Sequence, residues 1–141
     1  MYRMRHFVAA AVIVSGTACS DSFSPSVSTV AAAYTATNLR TTPNAGASVD
    51  QLALGATLNM VLNANGTVTG LLNVPVSAQN PSAFSANLTG TWTLNGDSVT
   101  FASDVDTFIR DLTFTASRNQ LTANQNVANT RYEVTLTRTG A

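Results

Sequence analysis

Residues 52–76 read LALGATLNMVLNANGTVTGLLNVPV. Every second position of 52–62 and of 68–76 is apolar or glycine, while the positions between them are mostly small or polar. A period of two is typical of a β-strand that buries one face. The Asn- and Gly-containing sequence at 63–66 is typical of a tight turn. This region therefore predicts a β-hairpin, with its first strand, straight or bent, starting at Leu52.

The same period continues on both sides of this hairpin. Apolar residues alternate with short polar residues, many of them threonine, as is typical of strands with one solvated face. Asn95-Gly96 is the strongest hairpin signal in the chain. Asp104–Arg110 fits a loop or a single helical turn, and Asn126–Asn129 fits a loop. The other alternating segments are 33–41, 84–94, 99–103, 112–116, 121–123 and 132–136.

These segments predict an all-β fold of about eight short strands at regular spacing. No amphipathic helix interrupts the predicted strands, so the simplest arrangement is a small antiparallel up-and-down barrel over residues 30–141. Closure removes the open sheet edges that a Thr-rich sheet would otherwise expose to aggregation. The alternative is a two-sheet β-sandwich.

The N-terminus predicts a secretory signal over residues 1–18. Arg3 and Arg5 precede an apolar run at 7–14 and a small-residue stretch, and that run is shorter than the roughly 20 residues that a membrane span needs. Cys19, the only cysteine, follows directly. Ser15-Gly16-Thr17-Ala18-Cys19 resembles a bacterial lipobox, with Gly16 in place of the usual leucine. Cleavage after Ala18 by the ordinary secretory route, releasing a soluble protein, is the alternative.

The lipobox resemblance implies a lipid anchor on Cys19 and a membrane as partner. A serine such as Ser20 after the cysteine implies transfer to the outer membrane, whereas Asp21 opposes that transfer. Residues 19–29 are rich in serine and contain one proline, which predicts a flexible tether between the anchor and the barrel. The expected location is the bacterial cell envelope.

Residue supply limits the chemistry of the chain from Cys19 onward. It contains no lysine and no histidine, since His6 belongs to the predicted signal, and its sole cysteine is the predicted lipid site. Ser-His-Asp and Cys-His catalysis, disulfides and Cys/His zinc sites are therefore excluded. Five arginines, six aspartates and one glutamate give a formal net charge of −2, which disfavours a nucleic-acid partner. We expect a non-catalytic protein without a cofactor or metal.

Two further functional hypotheses, a calcium site and a hydrolase, rest on carboxylates. Asp104, Asp106 and Asp111 supply the oxygen ligands that calcium prefers, but the further ligands and the turn glycine of a known calcium loop are missing. Asp97, Asp111 and Glu133 are candidates for a hydrolase that uses paired carboxylates. All of these residues fall on predicted turns or polar strand faces, where they serve solubility.

Three segments carry a resemblance to a known family. They are GTWTLNGDSVTF at 90–101, LNMVLNANGTV at 58–68 and YEVTLTR at 132–138. Together they resemble the lipocalin-like (calycin-type) domains of bacterial lipoproteins, which implies a barrel on a lipid tether. In true lipocalins the Gly-x-Trp sequence lies on the first strand, whereas here it lies in mid-chain, so no ligand site is carried over from that family.

The alternation still predicts which side chains point into the barrel. Gly70 and Gly90 are also inward, and such small residues indicate either a pocket or a close backbone approach. The first hypothesis is a barrel that binds a small apolar or amphipathic ligand, with Arg138 either capping the interior or binding an anionic head group. The second is a solid barrel that contacts an envelope protein partner. The candidate ligand-binding residues are Met60, Trp92, Phe101, Phe114, Tyr132 and Arg138.

Overall fold

The structure is a computed structural model that describes residues 22–140. The predicted signal 1–18, the lipid site Cys19, Ser20 and Asp21 lie outside the described residues. The elements are α1 (Val27–Val30), β1 (Ala33–Pro43), β2 (Val49–Asp50), β3 (Thr57–Leu62), β4 (Thr67–Val74), β5 (Phe84–Asn87), β6 (Gly90–Asn95), β7 (Ser98–Ala102), a 3₁₀ turn (Phe108–Asp111), β8 (Thr113–Ala116), β9 (Gln120–Val127) and β10 (Thr130–Arg138).

Within the described residues, the strands form a closed antiparallel barrel of eight strands, counting β5 and β6 as one and leaving out the two-residue β2. Neighbours pair in chain order, and β10 closes the barrel on β1 from Tyr34↔Arg138 to Pro43↔Thr130. The short β2 pairs with the outer part of β1 at Arg40↔Asp50. The predicted all-β up-and-down barrel is confirmed, and the sandwich alternative is wrong because no break divides the sheet into two.

The first strand of the predicted hairpin begins later than expected. Leu54 and Ala56 both donate their backbone N–H to the Gln51 carbonyl, at 3.2 and 2.9 Å, so residues 51–55 form a turn and not a strand. Gly55 completes this turn with φ +92°, in the left-handed region that glycine adopts most easily. The alternation of 52–56 was therefore misleading, because a compact turn also buries some of its apolar residues.

The predicted strand 84–94 is interrupted but keeps its register. β5 pairs Ala86 with Leu72 and β6 pairs Gly90 with Val68, so both segments lie on β4 in one register. Leu88 bridges them by donating its backbone N–H to the Gly70 carbonyl at 2.9 Å. The predicted loop at 126–129 is also shorter than expected, since β9 continues to Val127.

The barrel interior is filled by side chains. Phe101 and Phe114 meet edge to face, with their ring centroids 5.6 Å apart. A Cβ on Gly70 would lie 2.4 Å from the Asn59 carbonyl oxygen, and one on Gly90 would lie 2.1 Å from that of Ala102. Both inward glycines therefore mark close backbone approaches, not pocket space. The largest fully buried side chains are Tyr34, Phe114, Leu39, Leu58, Met60, Leu62, Leu72, Leu112, Leu121, Leu136, Val30 and Val99.

One end of the barrel is covered by α1, and we call it the capped end. Ser26 caps this single turn by accepting a hydrogen bond from the Thr29 backbone N–H, and Val30 is buried in the core. The Tyr34 hydroxyl donates to the Val30 carbonyl at 2.7 Å, and the Arg138 guanidinium donates to the Thr29 carbonyl. The helix occupies the last residues of the segment predicted to be a tether.

The opposite end is bordered by the connections β1–β3, β4–β5 and β7–β8 and by the β9–β10 turn, and we call it the mouth. The 3₁₀ turn Phe108–Asp111 lies here, and its Ile109 side chain is buried in the core. Because β1 starts at the capped end and finishes at the mouth, α1 and the mouth lie on opposite sides of the packed interior.

Candidate binding site at the barrel mouth

A cavity of about 340 Å³ lies at the mouth, between the β4–β5 loop and the 3₁₀ turn. Its volume falls at the lower end of the range of roughly 300–1,000 Å³ that is typical of small-molecule sites. Most of the aliphatic and aromatic lining comes from strand ends, so the barrel itself sets its shape. The lining residues are Leu39, Thr41, Gln51, Leu72, Val74, Gln79, Asn80, Pro81, Ser82, Phe84, Phe108 and Tyr132.

Two stacked rings form one wall of the cavity. The ring centroids of Phe108 and Tyr132 are 4.4 Å apart and the planes are inclined by 13°. Buried Ile109 holds the 3₁₀ turn, and therefore Phe108, against the core. Tyr132 lies near the start of β10 and on the same strand face as buried Val134, so its side chain points inward. Both rings are thus positioned by the core but remain only partly buried.

Three uncharged polar side chains that line the cavity are joined by hydrogen bonds. The Gln51 amide nitrogen donates to the Thr41 hydroxyl at 2.8 Å, and the Asn80 amide nitrogen donates to the Gln51 carbonyl oxygen at 2.9 Å. The buried Gln51 is further held by its backbone N–H, which donates to the Leu39 carbonyl. Asn80 is fixed by a turn in which its backbone N–H donates to the Ser77 hydroxyl at 3.0 Å.

A second cavity, of about 590 Å³, continues from the first. Thr41, Gln51, Gln79, Asn80 and Tyr132 line both. In the described part of the chain, no charged side chain lines either cavity. The residues found only in the second are Pro43, Gly46, Ala47, Val49 and Thr130.

Burial raises the pKa of the Tyr132 phenol above its ordinary value, because the surrounding side chains remove water that would stabilise the phenolate. The hydroxyl therefore stays protonated at neutral pH and able to donate. Among residues 22–140 it has no hydrogen-bond partner. The mouth thus presents the Tyr132 hydroxyl together with the amides of Gln51 and Asn80.

The six candidate ligand-binding residues do not lie together. Met60, Trp92, Phe101 and Phe114 belong to the packed core and are at most 7% exposed. Arg138 lies at the capped end, where its contact with α1 fits the capping role. Only Tyr132 lines the mouth. The Trp92 indole N–H donates to the Asn63 carbonyl at 2.8 Å, in the β3–β4 turn at the capped end.

Sequence reasoning missed most of the mouth. The sequence predicts Phe84 on the apolar face of a strand and Phe108 in a loop or a single helical turn, while Gln51 and Asn80 belong to no distinguishing pattern. The one available signal is an aromatic residue, Phe108, in the Asp104–Arg110 segment, which also carries three charged residues. The pairing of that segment with Tyr132 arises from barrel closure, which a local pattern does not encode.

The carboxylates singled out from the sequence lie elsewhere. Arg110 contacts Asp106 at 2.7 Å and Asp111 at 3.7 Å, which places a guanidinium where a calcium ion would need to bind. Glu133 pairs with Arg131 at 3.3 Å. A cavity of about 690 Å³ includes Asp104, Arg110 and Asp111, but its lining is mainly polar and its guanidinium is already paired with Asp106 and Asp111. It has less apolar lining than the mouth with which to bind a small molecule.

Within residues 22–140, no three His, Cys, Asp or Glu side chains are grouped closely enough to hold a metal ion. Helices in the same part of the chain are all too short or too polar to cross a membrane. Neither a protein-family model nor a curated protein nor a solved structure matches this chain.

Proposed function

We propose that this chain is a lipid-anchored protein of the bacterial cell envelope, at the outer membrane, whose lipocalin-like barrel binds a small apolar or amphipathic molecule at its mouth. The mouth cavity carries the ligand part of this proposal. It is concave and mainly apolar, with a few fixed polar groups, which is the usual composition of a small-molecule site. Packing of the interior favours a ligand held at the mouth over one enclosed by the barrel.

The anchor part of the proposal rests on the lipobox resemblance at Cys19 and on the position of α1. The described chain enters the barrel at the capped end, opposite the mouth. A lipid on Cys19 would hold the capped end nearest the membrane. The mouth would then face away from the bilayer, where a soluble or exchanging ligand reaches it.

The ligand part is tested with N-phenyl-1-naphthylamine, an uncharged dye that fluoresces on entering an apolar site. The protein is the Cys19→Ser full chain, which keeps the Gly16 and Ala18 cleavage sequence and is released without lipid. We expect saturable binding that Phe84→Ser weakens about tenfold. Leu71→Ser is the matched control, because Leu71 is 43% exposed, close to the 46% of Phe84, but lies outside both mouth cavities. Equal binding by both variants, or none by the parent, would contradict the proposal.

The anchor part is tested by fractionation of cells that express the full chain or its Cys19→Ser variant. We expect the parent in the membrane fraction, with lipid mass on the peptide that begins at Cys19, and the variant in the soluble fraction. An unmodified cysteine on a soluble parent chain would support ordinary cleavage after Ala18 instead.

The filled interior favours a second candidate, a solid barrel that contacts an envelope protein. Exposed Val76 and Phe84 at the rim of the mouth are the apolar residues that such a contact would cover. A photo-crosslinking amino acid at position 76, introduced into the full chain in cells, tests it. One discrete crosslinked protein that is lost with Phe84→Ser would favour this candidate over the small ligand.

A further inference from the structure

We infer that the mouth selects an uncharged amphipathic ligand, with its polar end against Gln51, Asn80 and Tyr132 and its apolar end against Phe84 and Phe108. This inference rests on the proposed function, because it specifies the ligand of that same site. It concerns the head group of the ligand, which neither the fold nor the size of the cavity determines.

The two mouth cavities form one groove with two kinds of lining. The end that contains Phe84, Phe108, Leu72 and Val74 is apolar. The other end is lined by Pro43, Ala47 and Thr130, among others, and contains no aromatic ring beyond the shared Tyr132. The shared residues Thr41, Gln51, Gln79, Asn80 and Tyr132 mark the boundary between them. A molecule that fills the groove therefore places an apolar part beside the rings and a polar part over the amides.

The absence of charge in this lining determines the head group. Transfer of an ion from water into a partly buried site is unfavourable unless an opposite charge compensates for it. The charged residues adjacent in sequence to Thr41, Gln51 and Tyr132 do not line the groove and are paired with one another, Arg40 with Asp50 at 3.5 Å and Arg131 with Glu133 at 3.3 Å. Arg138, the sequence candidate for an anionic head group, contacts α1 at the opposite end. A carboxylate or an ammonium would therefore lose hydration without gaining a partner.

The hydrogen-bonding groups that remain available in the groove are uncharged and include both donors and acceptors. A side-chain amide has two N–H donors and a carbonyl oxygen with two acceptor positions. In the described contacts Asn80 uses one donor, and Gln51 uses one donor and one acceptor position. The Tyr132 hydroxyl has no partner among residues 22–140. Donors and acceptors thus face the ligand together, which complements an amide or an alcohol.

Three probes with one alkyl chain and different head groups test the inference: octanamide, octanoate and octylammonium at pH 7. The released Cys19→Ser full chain is titrated with each, and binding is measured from the backbone amide NMR shifts of residues 51, 80 and 132. Trp fluorescence does not serve here, because Trp92 lies in the core toward the capped end. We expect octanamide to bind at least about tenfold more tightly than either ion.

The outcomes separate the two proposals. If octanoate or octylammonium binds as tightly as octanamide at these residues, the inference is wrong and the proposed function stands. If none of the three probes shifts the mouth resonances, the proposed function fails and the inference fails with it.

Gln51→Glu sharpens the test by adding one negative charge with little change of shape. The Asn80 amide still donates to the new carboxylate, and the Thr41 hydroxyl is able to rotate and donate as well. We expect the preference to reverse, with octylammonium binding tighter than octanamide. Gln120→Glu, at an exposed position of β9 outside both cavities, is the matched control, because its amide also donates to a threonine hydroxyl (Thr137, 3.4 Å), and it should leave the preference unchanged. An unchanged preference in a folded Gln51→Glu protein would overturn the assignment of the polar end.

Discussion

The two ends of the barrel show how one strand pattern leads to opposite outcomes. At the capped end, α1 buries Val30 and is held by hydrogen bonds from Tyr34 and Arg138. At the mouth, the 3₁₀ turn covers only part of the interior and leaves Phe108 and Tyr132 beside a cavity. Inward aromatic residues occur toward both ends. What distinguishes a core residue from a site residue here is the segment that covers it, not its type or its parity.

The largest expected difference concerns Trp92, which the sequence placed in the ligand site and the structure places in the core. Trp92→Ala should lower the free energy of unfolding by about 3–5 kcal/mol, because it opens a cavity and removes one of the two donors to the Asn63 carbonyl. Urea unfolding followed by circular dichroism measures this loss. Phe84→Ala at the mouth is the comparison and should cost less than about 1 kcal/mol, because Phe84 is half exposed. A Trp92→Ala protein of parental stability would contradict the assignment of Trp92 to the core.

A smaller difference is expected between two arginines of β10. Arg138→Gln removes a charged donor to the Thr29 carbonyl and should lower stability by about 1–2 kcal/mol. Arg131→Gln breaks an exposed ion pair with Glu133 and should change it by less than about 1 kcal/mol. Hydrogen exchange separates the cause from a general loss of stability. The Val30 and Ala31 amides, which close α1, should lose protection in Arg138→Gln but not in Arg131→Gln. Unchanged protection in both would show that Arg138 does not hold the cap.

The smallest expected effect is a pH dependence that originates at the mouth. Because burial raises the pKa of Tyr132 in the folded state, the folded protein retains this proton at pH values where the unfolded chain has released it. The stabilising contribution is complete below pH 10 and is lost as the pH rises through the folded-state pKa. Tyr132→Phe should therefore flatten the fall of unfolding free energy above about pH 10. Equal slopes for parent and variant in urea titrations would contradict this.

The strands were predictable because burial of one strand face requires apolar residues at every second position, which is visible in a short stretch of sequence. The β3–β4 and β6–β7 hairpins follow from alternation and from their Asn- and Gly-containing turns. The errors occurred where another local structure imitates alternation. Apolar and small residues alternate over 52–56, yet this segment is a turn in which the backbone N–H groups of Leu54 and Ala56 donate to the Gln51 carbonyl. The interruption between β5 and β6 at Leu88 was not predictable from the alternation either, since the pairing register with β4 continues across it.

Sequence alone was sufficient for the fold class, the strand order and the exclusion of histidine, lysine and thiol chemistry from the chain after Cys19, because period and residue supply are local or compositional properties. Tertiary structure decided which inward residues are core and which line a site. Tyr132 and Phe108 are 24 residues apart in the chain, and Gln51 and Asn80 are 29 apart. They become neighbours only when the barrel closes and its connections fold over one end, and no local pattern records that event.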